Sequence, residues 1–323
     1  MHERWHRFDI RQLEDFTNAV FGAELEVIQM AGPRVRGSLA FAARNGITFS
    51  SGLIQGSVAV SGPLSHDAIT IGVALRVGQG STQWLNTIRS GDVGVFLPGD
   101  EQDGLFTKGS LYFAATLTEK RLEEEAAREG LKLEPGMVSR TGLHFKSIST
   151  RTVAQLYRSV APIHSNRVNY DERRAEAGFA MMRIVLEHYA RLPLVGDGRV
   201  DPLGRASIVD KARRYIRANL THPVSMETLA AASGTSQRSL ARAFVEVLHD
   251  TPANYVRRLR LHRIRKELAT EAQRGCRVSE IAEKWGIAEP GRMSGWYREL
   301  FGELPSETRA RGQLQNQIKK QLL

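Results

Sequence analysis

Two stretches of similar sequence decide the fold: Val224–Gly234, VSMETLAAASG, and Val278–Gly286, VSEIAEKWG. Each has the pattern of a short helix with an inward-facing Leu-Ala or Ile-Ala pair, and a glycine follows four residues later. Glycine tolerates the positive φ that a turn between crossed helices often requires. Amphipathic sequence follows each glycine. The two stretches therefore predict a helix-turn-helix unit that occurs twice, with the turn glycines 52 residues apart.

The second helix of the first unit carries a basic outward face. Ser236 can cap a helix over Gln237–Val247, in which Leu240 and Phe244, four residues apart, would face the core. The opposite face would then lie in a DNA major groove, which is just wide enough to admit an α-helix. Arginine is suited to guanine because it can bond O6 and N7 together. We predict DNA contacts from Gln237, Arg238, Ser239 and Arg242.

The second unit repeats this arrangement. Pro290 fits the first turn of a helix whose inward residues would be Met293 and Tyr297. Between the units, Tyr255–Leu268 has the pattern of a connecting helix, whose arginines would either touch phosphates or stay solvated. The outward residues for which we predict DNA contacts are Arg292, Ser294 and Arg298.

Basic charge is confined to the same half of the chain. The formal net charge of the 323 residues is +10. Residues 205–323 contain 22 Lys and Arg against 12 Asp and Glu, which leaves 23 of each sign in residues 1–204. A neutral region followed by a basic one indicates an acidic polymer as partner, either nucleic acid or an anionic membrane surface. The alternative is that the basic helices are merely soluble.

The doubled unit resembles the C-terminal DNA-binding domain of the AraC/XylS family of bacterial transcription regulators. The strongest part runs from Ile281-Ala282-x-x-x-Gly286 through Phe301-Gly302-x-x-Pro305-Ser306, and the resemblance covers residues 208–312, about a third of the chain. It implies two helix-turn-helix modules that are bridged by a long helix and read successive major-groove segments of double-stranded DNA. The base-reading positions that it implies are Arg238, Ala241 and Arg242 in the first module, and Pro290, Gly291, Arg292 and Gly295 in the second.

The second module departs from the family pattern. Ile287 replaces the usual aromatic residue after the turn glycine, and Gly295 stands where an arginine is common. Three of its four implied reading positions carry proline or glycine. We therefore expect Arg238 and Arg242 to read most of the sequence, and the second module to bind mostly the DNA backbone.

The region 22–110 is rich in glycine and β-forming residues. Its short apolar runs, separated by turn signals such as Gly32-Pro33 and Asn45-Gly46, are typical of a β-sandwich or small barrel. The predicted strands are Leu25–Met30, Leu39–Ala43, Ile47–Phe49, Ser57–Val60, Ile69–Val77, Val93–Leu97 and Leu111–Leu117. Helical patterns follow at Glu119–Glu129, Thr152–Val160 and Asp171–Tyr189.

These patterns predict a multidomain α+β protein, with an N-terminal cupin-like β-barrel or sandwich, flanking helices and an all-α double helix-turn-helix domain. Asp171–Tyr189 has more apolar surface than one barrel face requires, so we expect it and Thr152–Val160 to form a homodimer interface. The predicted parts are a β-rich effector-sensing domain at 1–148, a helical dimerisation segment at 149–190, a linker at 191–206, the DNA-binding domain at 207–312 and a tail at 313–323.

In regulators of this family, the N-terminal segment often resembles a cupin-type effector barrel. Arg34 and Arg36 share one strand face and Arg44 precedes a turn, so they could hold an anion such as a carboxylate, a phosphate or a cyclic dinucleotide. Trp84 is a candidate pocket wall. The alternatives are that the arginines are solvated strand-edge charges and that Trp84 belongs to the core.

Several classes of site find no support in the sequence. The histidines before residue 150 are scattered without a His-x-His pair, which argues against a metal-dependent cupin enzyme. Cys276 is the only cysteine, which argues against disulfides and fits a reducing cytosol. The charged N-terminus lacks a signal-peptide core, and no apolar run is long enough to span a membrane. We expect no cofactor, no metal and a cytoplasmic, nucleoid-associated bacterial location.

These observations favour a ligand-responsive, sequence-specific transcription regulator that is not an enzyme. Activation is the commoner outcome in the family, and an activator would also contact RNA polymerase. The alternatives are an enzyme that uses its basic domain as a DNA anchor, an effector-independent repressor, and a DNA-packaging protein without sequence preference.

Overall fold

The computed structural model describes residues 5–131, 140–144, 146–165, 177–190, 204–270 and 276–311. The chain forms two compact units. The first consists of residues 1–27 and 35–200, and the second of residues 28–34 and 201–323.

The first unit contains a curled antiparallel sheet. Its strands are β1 (His6–Ile10), β2 (Glu26–Arg44), β3 (Ile47–Pro63), β4 (Ile69–Arg76), β5 (Thr82–Gln83), β6 (Asn86–Thr87), β7 (Val93–Phe96), β8 (Glu101–Phe106), β9 (Ser110–Leu117) and β10 (Gly142–Leu143). The main path of the sheet is β10-β7-β4-β9-β3-β8-β5-β6, and β2 pairs with β1 and β3. The predicted β-rich N-terminal fold is confirmed.

Strand β3 produces the curl because it changes partner along its length. Residues Thr48–Ile54 pair with β9, and Val58–Pro63 pair with β8. The turn at Asn45-Gly46, where both residues have positive φ, joins β3 to β2 as predicted. Gly32-Pro33 was predicted to separate two strands, but β2 runs through it; proline restricts φ to an extended value and removes one N–H without ending a strand.

Helices close one side of the sheet. They are α1 (Glu119–Arg128), α2 (Thr150–Val160) and α3 (Ala177–Ala190), with 3₁₀ turns at Leu13–Asn18 and Ala161–His164. Thr118 and Ser149 cap α1 and α2. Gly178 lets α3 approach the sheet closely, because a Cβ atom there would lie 2.6 Å from the ring of Phe49.

The apolar stripes of α2 and α3 are part of the core of the first unit. Val153, Leu156 and Val160 of α2 are buried together with the inner residues of the sheet. Along α3, Met181, Met182, Val185 and Leu186 are also at most 2% exposed. The surface that suggested a homodimer interface is therefore largely covered within the chain itself. Residues 171–176 of that predicted helix lie outside the described residues.

His164 connects the 3₁₀ turn to the sheet through a buried pair of hydrogen bonds. Its Nδ1 lies 2.8 Å from Oγ of Ser38 in β2, and its Nε2 lies 2.9 Å from Oγ of Ser51 in β3. Burial, together with the charge of Arg7, lowers the pKa of His164 to about 4. The imidazole is therefore neutral at physiological pH and bridges two neighbouring strands.

Apart from residues 28–34, which lie within β2, the second unit is helical. Its helices are α4 (Arg205–Ala218), α5 (Met226–Ala232), α6 (Gln237–Leu248), α7 (Pro252–Thr270), α8 (Val278–Lys284) and α9 (Pro290–Phe301). Residues 305–311 are also helical. Helix α4 begins at the end of the predicted linker 191–206, of which residues 191–203 lie outside the described part of the chain.

Candidate nucleic-acid interface

The first helix-turn-helix consists of α5 and α6. Ser225 begins α5 with a capping box, in which its hydroxyl accepts from the Thr228 N–H at 3.0 Å. Gly234 between the helices has a φ of 66°. Ser236 then caps α6 by accepting from the Ser239 N–H at 3.2 Å. Local sequence therefore sets both helix starts and the turn, as the sequence predicted.

Helix α6 has a fully buried face and a polar exposed face. Leu240 and Phe244 are both 0% exposed. The residues predicted to contact DNA from this helix are all exposed: Gln237, Arg238, Ser239 and Arg242. Sequence reasoning overlooked Val245, which is 51% exposed and lies on the same face as Arg238 and Arg242.

Arg242 is held in place within its own helix. Its Nε donates to Oε1 of Glu246 at 2.9 Å, and the other carboxylate oxygen of Glu246 pairs with Arg205 of α4. The side chain of Arg242 is nevertheless 71% exposed, so its guanidinium remains accessible. Glu246 thus fixes the direction of one predicted reading arginine.

The second helix-turn-helix consists of α8 and α9. Gly286 has a φ of 74°, and Ile287, which follows it, is 5% exposed and fills the core position of the usual aromatic residue. Met293 and Tyr297 are fully buried, as predicted. Of the predicted DNA-contacting residues in α9, Arg292 and Arg298 are exposed and Ser294 is half-buried.

The exposed face of α9 differs from that of α6. Gly291 and Gly295 are exposed, and a Cβ atom at either position would meet no atom within 4 Å. Nε of Arg292 lies 3.0 Å from Oε2 of Glu289. The side chain of Pro290 lies outside the described residues. This face therefore offers a smooth backbone surface with two exposed arginines.

Arg260 of α7 connects the segment before α5 to the second module. Its Nε and Nη2 donate to the main-chain oxygens of Leu220 at 3.1 Å and His222 at 2.7 Å, and its Nη1 donates to that of Gly286 at 2.9 Å. Burial lowers the pKa of Arg260. Its guanidinium thus ties the segment before α5 to the turn of the second module.

The other α7 arginines also make contacts within the protein. The Arg257 guanidinium lies 4.7 Å from the ring centroid of Trp296, Arg258 pairs with Asp250 at 3.4 Å, and Arg265 is buried against Glu303. The sequence left open whether these arginines contact phosphates or stay solvated. For these three and for Arg260, the structure shows a third role, which is to hold the helical unit together.

The first unit contains a cavity of about 100 Å³ within its curled sheet. Most of its lining is apolar, including Phe16, Val60 and Phe96. The lining residues with polar side chains are Gln83, Asp92, Gln102 and Tyr112.

Those predicted effector residues whose side chains are described do not line this cavity. Arg36 is exposed, and the guanidinium of Arg44 lies 5.0 Å from the ring centroid of Phe179. Trp84 packs against Phe96 with ring centroids 5.2 Å apart, but does not itself line the cavity. The side chain of Arg34 lies outside the described residues. The anion site therefore stays a prediction.

Within the described ranges, no group of three or more His, Cys, Asp and Glu side chains is placed to hold a metal ion. In those same ranges, no helix has the length and apolar character needed to cross a bilayer. Cys276 is exposed.

Comparison with known proteins places the helical unit in a family. Residues 229–311 match a helix-turn-helix domain family. The probable thc operon regulatory protein of Rhodococcus erythropolis is 37% identical over 102 residues, which are 31% of this chain and 30% of that protein. The XylDLEGF operon transcriptional activator 2 of Pseudomonas putida is 30% identical over 137 residues, which are 39% of this chain and 86% of that protein.

A solved AraC-type transcriptional regulator from Chromobacterium violaceum is 30% identical and covers 34% of this chain and 95% of its own, with a TM-score of 0.31. The chain spans about a third of the length of several of the curated relatives that it matches. The family match falls on residues 229–311, within the helical unit. From this region, the chain belongs to the AraC/XylS family of transcription regulators.

Proposed function

We propose that the protein is a sequence-specific DNA-binding transcription activator whose activity is controlled by a small molecule bound within the curled sheet. The observation that carries the proposal is the repeated helix-turn-helix unit, in which α6 and α9 each have a buried apolar face opposite exposed arginines. A helix of this kind fits the major groove, where arginine can read guanine.

The charge distribution supports DNA as the partner. The excess of ten positive charges lies in residues 205–323, and the α7 arginines that make contacts within the protein account for only part of it. Exposed arginines attract phosphates over long range and speed association, while contacts to base edges supply specificity. Activation, with RNA polymerase as a further partner, is supported by the relatives that are named operon activators.

The remaining parts of the proposal concern regulation and location. The cavity of the first unit is the proposed effector site, and ligand binding there would shift the arrangement in which the modules meet DNA. We also propose a homodimer and a location at the nucleoid of the bacterial cytoplasm. The relatives named above are transcription regulators, which supports a role without catalysis.

The test begins with selection of duplexes from a random DNA library by the full-length protein. Fluorescence anisotropy at fixed salt then compares the selected duplex with a random one. We expect the selected duplex to bind at least about a thousandfold more tightly. Equal affinities would contradict the proposal and indicate a DNA-packaging protein.

Two matched variants connect this affinity to α6. Arg238→Ala should weaken binding of the selected duplex, whereas Arg151→Ala, which removes an exposed arginine at the start of α2, should leave it unchanged. Sedimentation analysis with and without DNA tests the homodimer, and a monomer at micromolar concentration in both samples would contradict it.

A further inference from the structure

The lining of the cavity in the curled sheet indicates which kind of ligand it could bind, and Gln102 is its central residue. Gln102 lies on β8 and is 3% exposed. Its Oε1 accepts a hydrogen bond from Nε2 of Gln83 at 3.2 Å. Its own Nε2 is buried and has no hydrogen-bond partner among the described residues, although Gln102 lines the cavity.

An unpaired buried amide is costly. Leaving a buried donor without an acceptor costs about 1–3 kcal/mol, and most such groups in folded proteins are satisfied by protein or solvent. Two neighbouring polar groups are already engaged. Tyr112 donates its hydroxyl proton to the Ala19 carbonyl, and Asp92 accepts from the Arg89 N–H at 2.7 Å and from Oγ of Ser147 at 2.5 Å. Among the described residues that line the cavity, Gln102 is the one with a buried donor that has no acceptor.

The charge of the lining excludes an anion. Asp92 is the formally charged residue in the described lining, and no arginine, lysine or histidine accompanies it. An anionic ligand would lose its hydration and meet a carboxylate without a balancing cation. The remaining lining favours apolar atoms.

The volume limits the size of the ligand. An engineered apolar cavity of about 150 Å³ holds benzene, which has six non-hydrogen atoms, so a cavity of about 100 Å³ holds at most about six. We infer that the cavity binds a compact, uncharged, mostly apolar molecule whose single hydrogen-bond acceptor, such as a ketone or ester carbonyl, receives an N–H of Gln102. The inference rests on the proposed function, in which this cavity is the effector site.

Three probes of similar size separate the possibilities. Cyclopentanone carries one acceptor, methylcyclopentane has nearly the same shape without one, and cyclopropanecarboxylate is anionic with the same number of non-hydrogen atoms. Each is titrated into the full-length protein, and binding is measured by saturation-transfer NMR. We expect saturable binding of cyclopentanone and no saturable binding of cyclopropanecarboxylate.

Variants at Gln102 test the hydrogen bond. Gln102→Met keeps the length of the side chain but removes the donor, so cyclopentanone should bind about tenfold more weakly. Methylcyclopentane should bind equally well or better, because it never used the donor. Gln155→Met changes an exposed glutamine on α2 and should alter neither affinity. Thermal unfolding checks that each variant is folded, and Gln102→Leu provides a second donor-free variant.

Other results would overturn the inference. Equal changes for cyclopentanone and methylcyclopentane in Gln102→Met would show that shape alone matters. Binding of cyclopropanecarboxylate in competition with cyclopentanone would show that the cavity accepts an anion, and no binding of any probe would show that the cavity holds only water. Cyclopentanone binding that depends on Gln102 without changing DNA affinity would support the inference and contradict only the regulatory part of the proposed function.

Discussion

The two helix-turn-helix modules share a backbone pattern but present different surfaces. In each, a positive-φ glycine joins a short helix to a longer one, whose inner residues are fully buried: Leu240 and Phe244 in the first, Met293 and Tyr297 in the second. On the outer face, α6 carries Arg238, Arg242 and Val245, whereas α9 carries two arginines and two glycines, Gly291 and Gly295. The two modules thus have the same buried core positions, whereas their exposed residues, which would contact DNA, differ.

The largest expected effect concerns this difference in reading. The double variant Arg238→Ala, Arg242→Ala should lower affinity for the selected duplex by about a hundred- to ten-thousandfold, since each bidentate arginine–guanine pair contributes about 1–3 kcal/mol. The same variant should also discriminate less between bases. The measurement is anisotropy against single-base variants of the duplex.

The matched double variant, Arg292→Ala, Arg298→Ala, should weaken binding similarly for all sequences. It should also reduce the slope of log affinity against log salt by about one for each phosphate that the protein no longer neutralises. A loss of base preference in this variant, with preference retained in the α6 variant, would reverse the assignment of the modules.

The next effect concerns the hydrogen bonds by which Arg260 joins the segment before α5 to the turn of the second module. Arg260→Met should lower the free energy of unfolding by about 3 kcal/mol, because three main-chain carbonyls lose a charged donor. Urea denaturation followed by circular dichroism measures this change. Arg214→Met, at an exposed arginine of α4, should change stability by less than about 0.5 kcal/mol. Similar losses in both variants would show that the bonds of Arg260 contribute little.

The turn glycines should respond unequally. Alanine at a positive-φ position lowers the free energy of unfolding by about 1–2 kcal/mol. We expect no larger loss for Gly234→Ala, because the added Cβ would meet nothing within 4 Å. Gly286→Ala should cost about 1 kcal/mol more, because its Cβ would lie 2.9 Å from Cζ of Arg260 and disturb that hydrogen-bonded group. Thermal unfolding of both variants provides the comparison, and equal losses would argue against a rigidly held Arg260.

The smallest effect concerns the starts of α6 and α9. Ser236→Ala should cost about 1 kcal/mol, since its hydroxyl accepts the Ser239 N–H. Glu289 occupies the same position before α9 but makes no such cap, so Glu289→Ala should change stability by less than about 0.5 kcal/mol. A comparable loss for Glu289→Ala would indicate that its ion pair with Arg292 stabilises α9.

Local periodicity was enough to predict the helical unit. The four-residue spacing of Leu240 and Phe244, the serine caps and the turn glycines act within a few residues of one another, so the sequence alone exposes them. Once Leu240 and Phe244 are assigned to the inward face, the helical spacing places Arg238 and Arg242 on the outward face. Strand β1 was missed because HRFDI has little alternation and is stabilised by pairing with the distant residues 37–41 of β2.

Roles that depend on distant contacts were not predictable. Arg260 lies in a run of arginines, and nothing local distinguishes it from solvated neighbours; its partners are 26 to 40 residues away. Gln102 reads as an ordinary polar residue beside a turn until β8 and β5 bring it against Gln83. The sequence also suggested a site that the structure does not place at the cavity. Charge and proximity in sequence grouped Arg34, Arg36 and Arg44, but neither Arg36 nor Arg44 lines the cavity.

The Arg260 link has a consequence for the DNA that the protein would choose. One added base pair between two half-sites moves the second by about 3.4 Å and rotates it by about 34° around the duplex axis. A pair of modules on a flexible tether would follow that change. Here the Arg260 guanidinium joins the segment before α5 to the turn of the second module through main-chain oxygens, so a protein that inserts α6 and α9 into successive grooves would tolerate little change in the spacing of its half-sites.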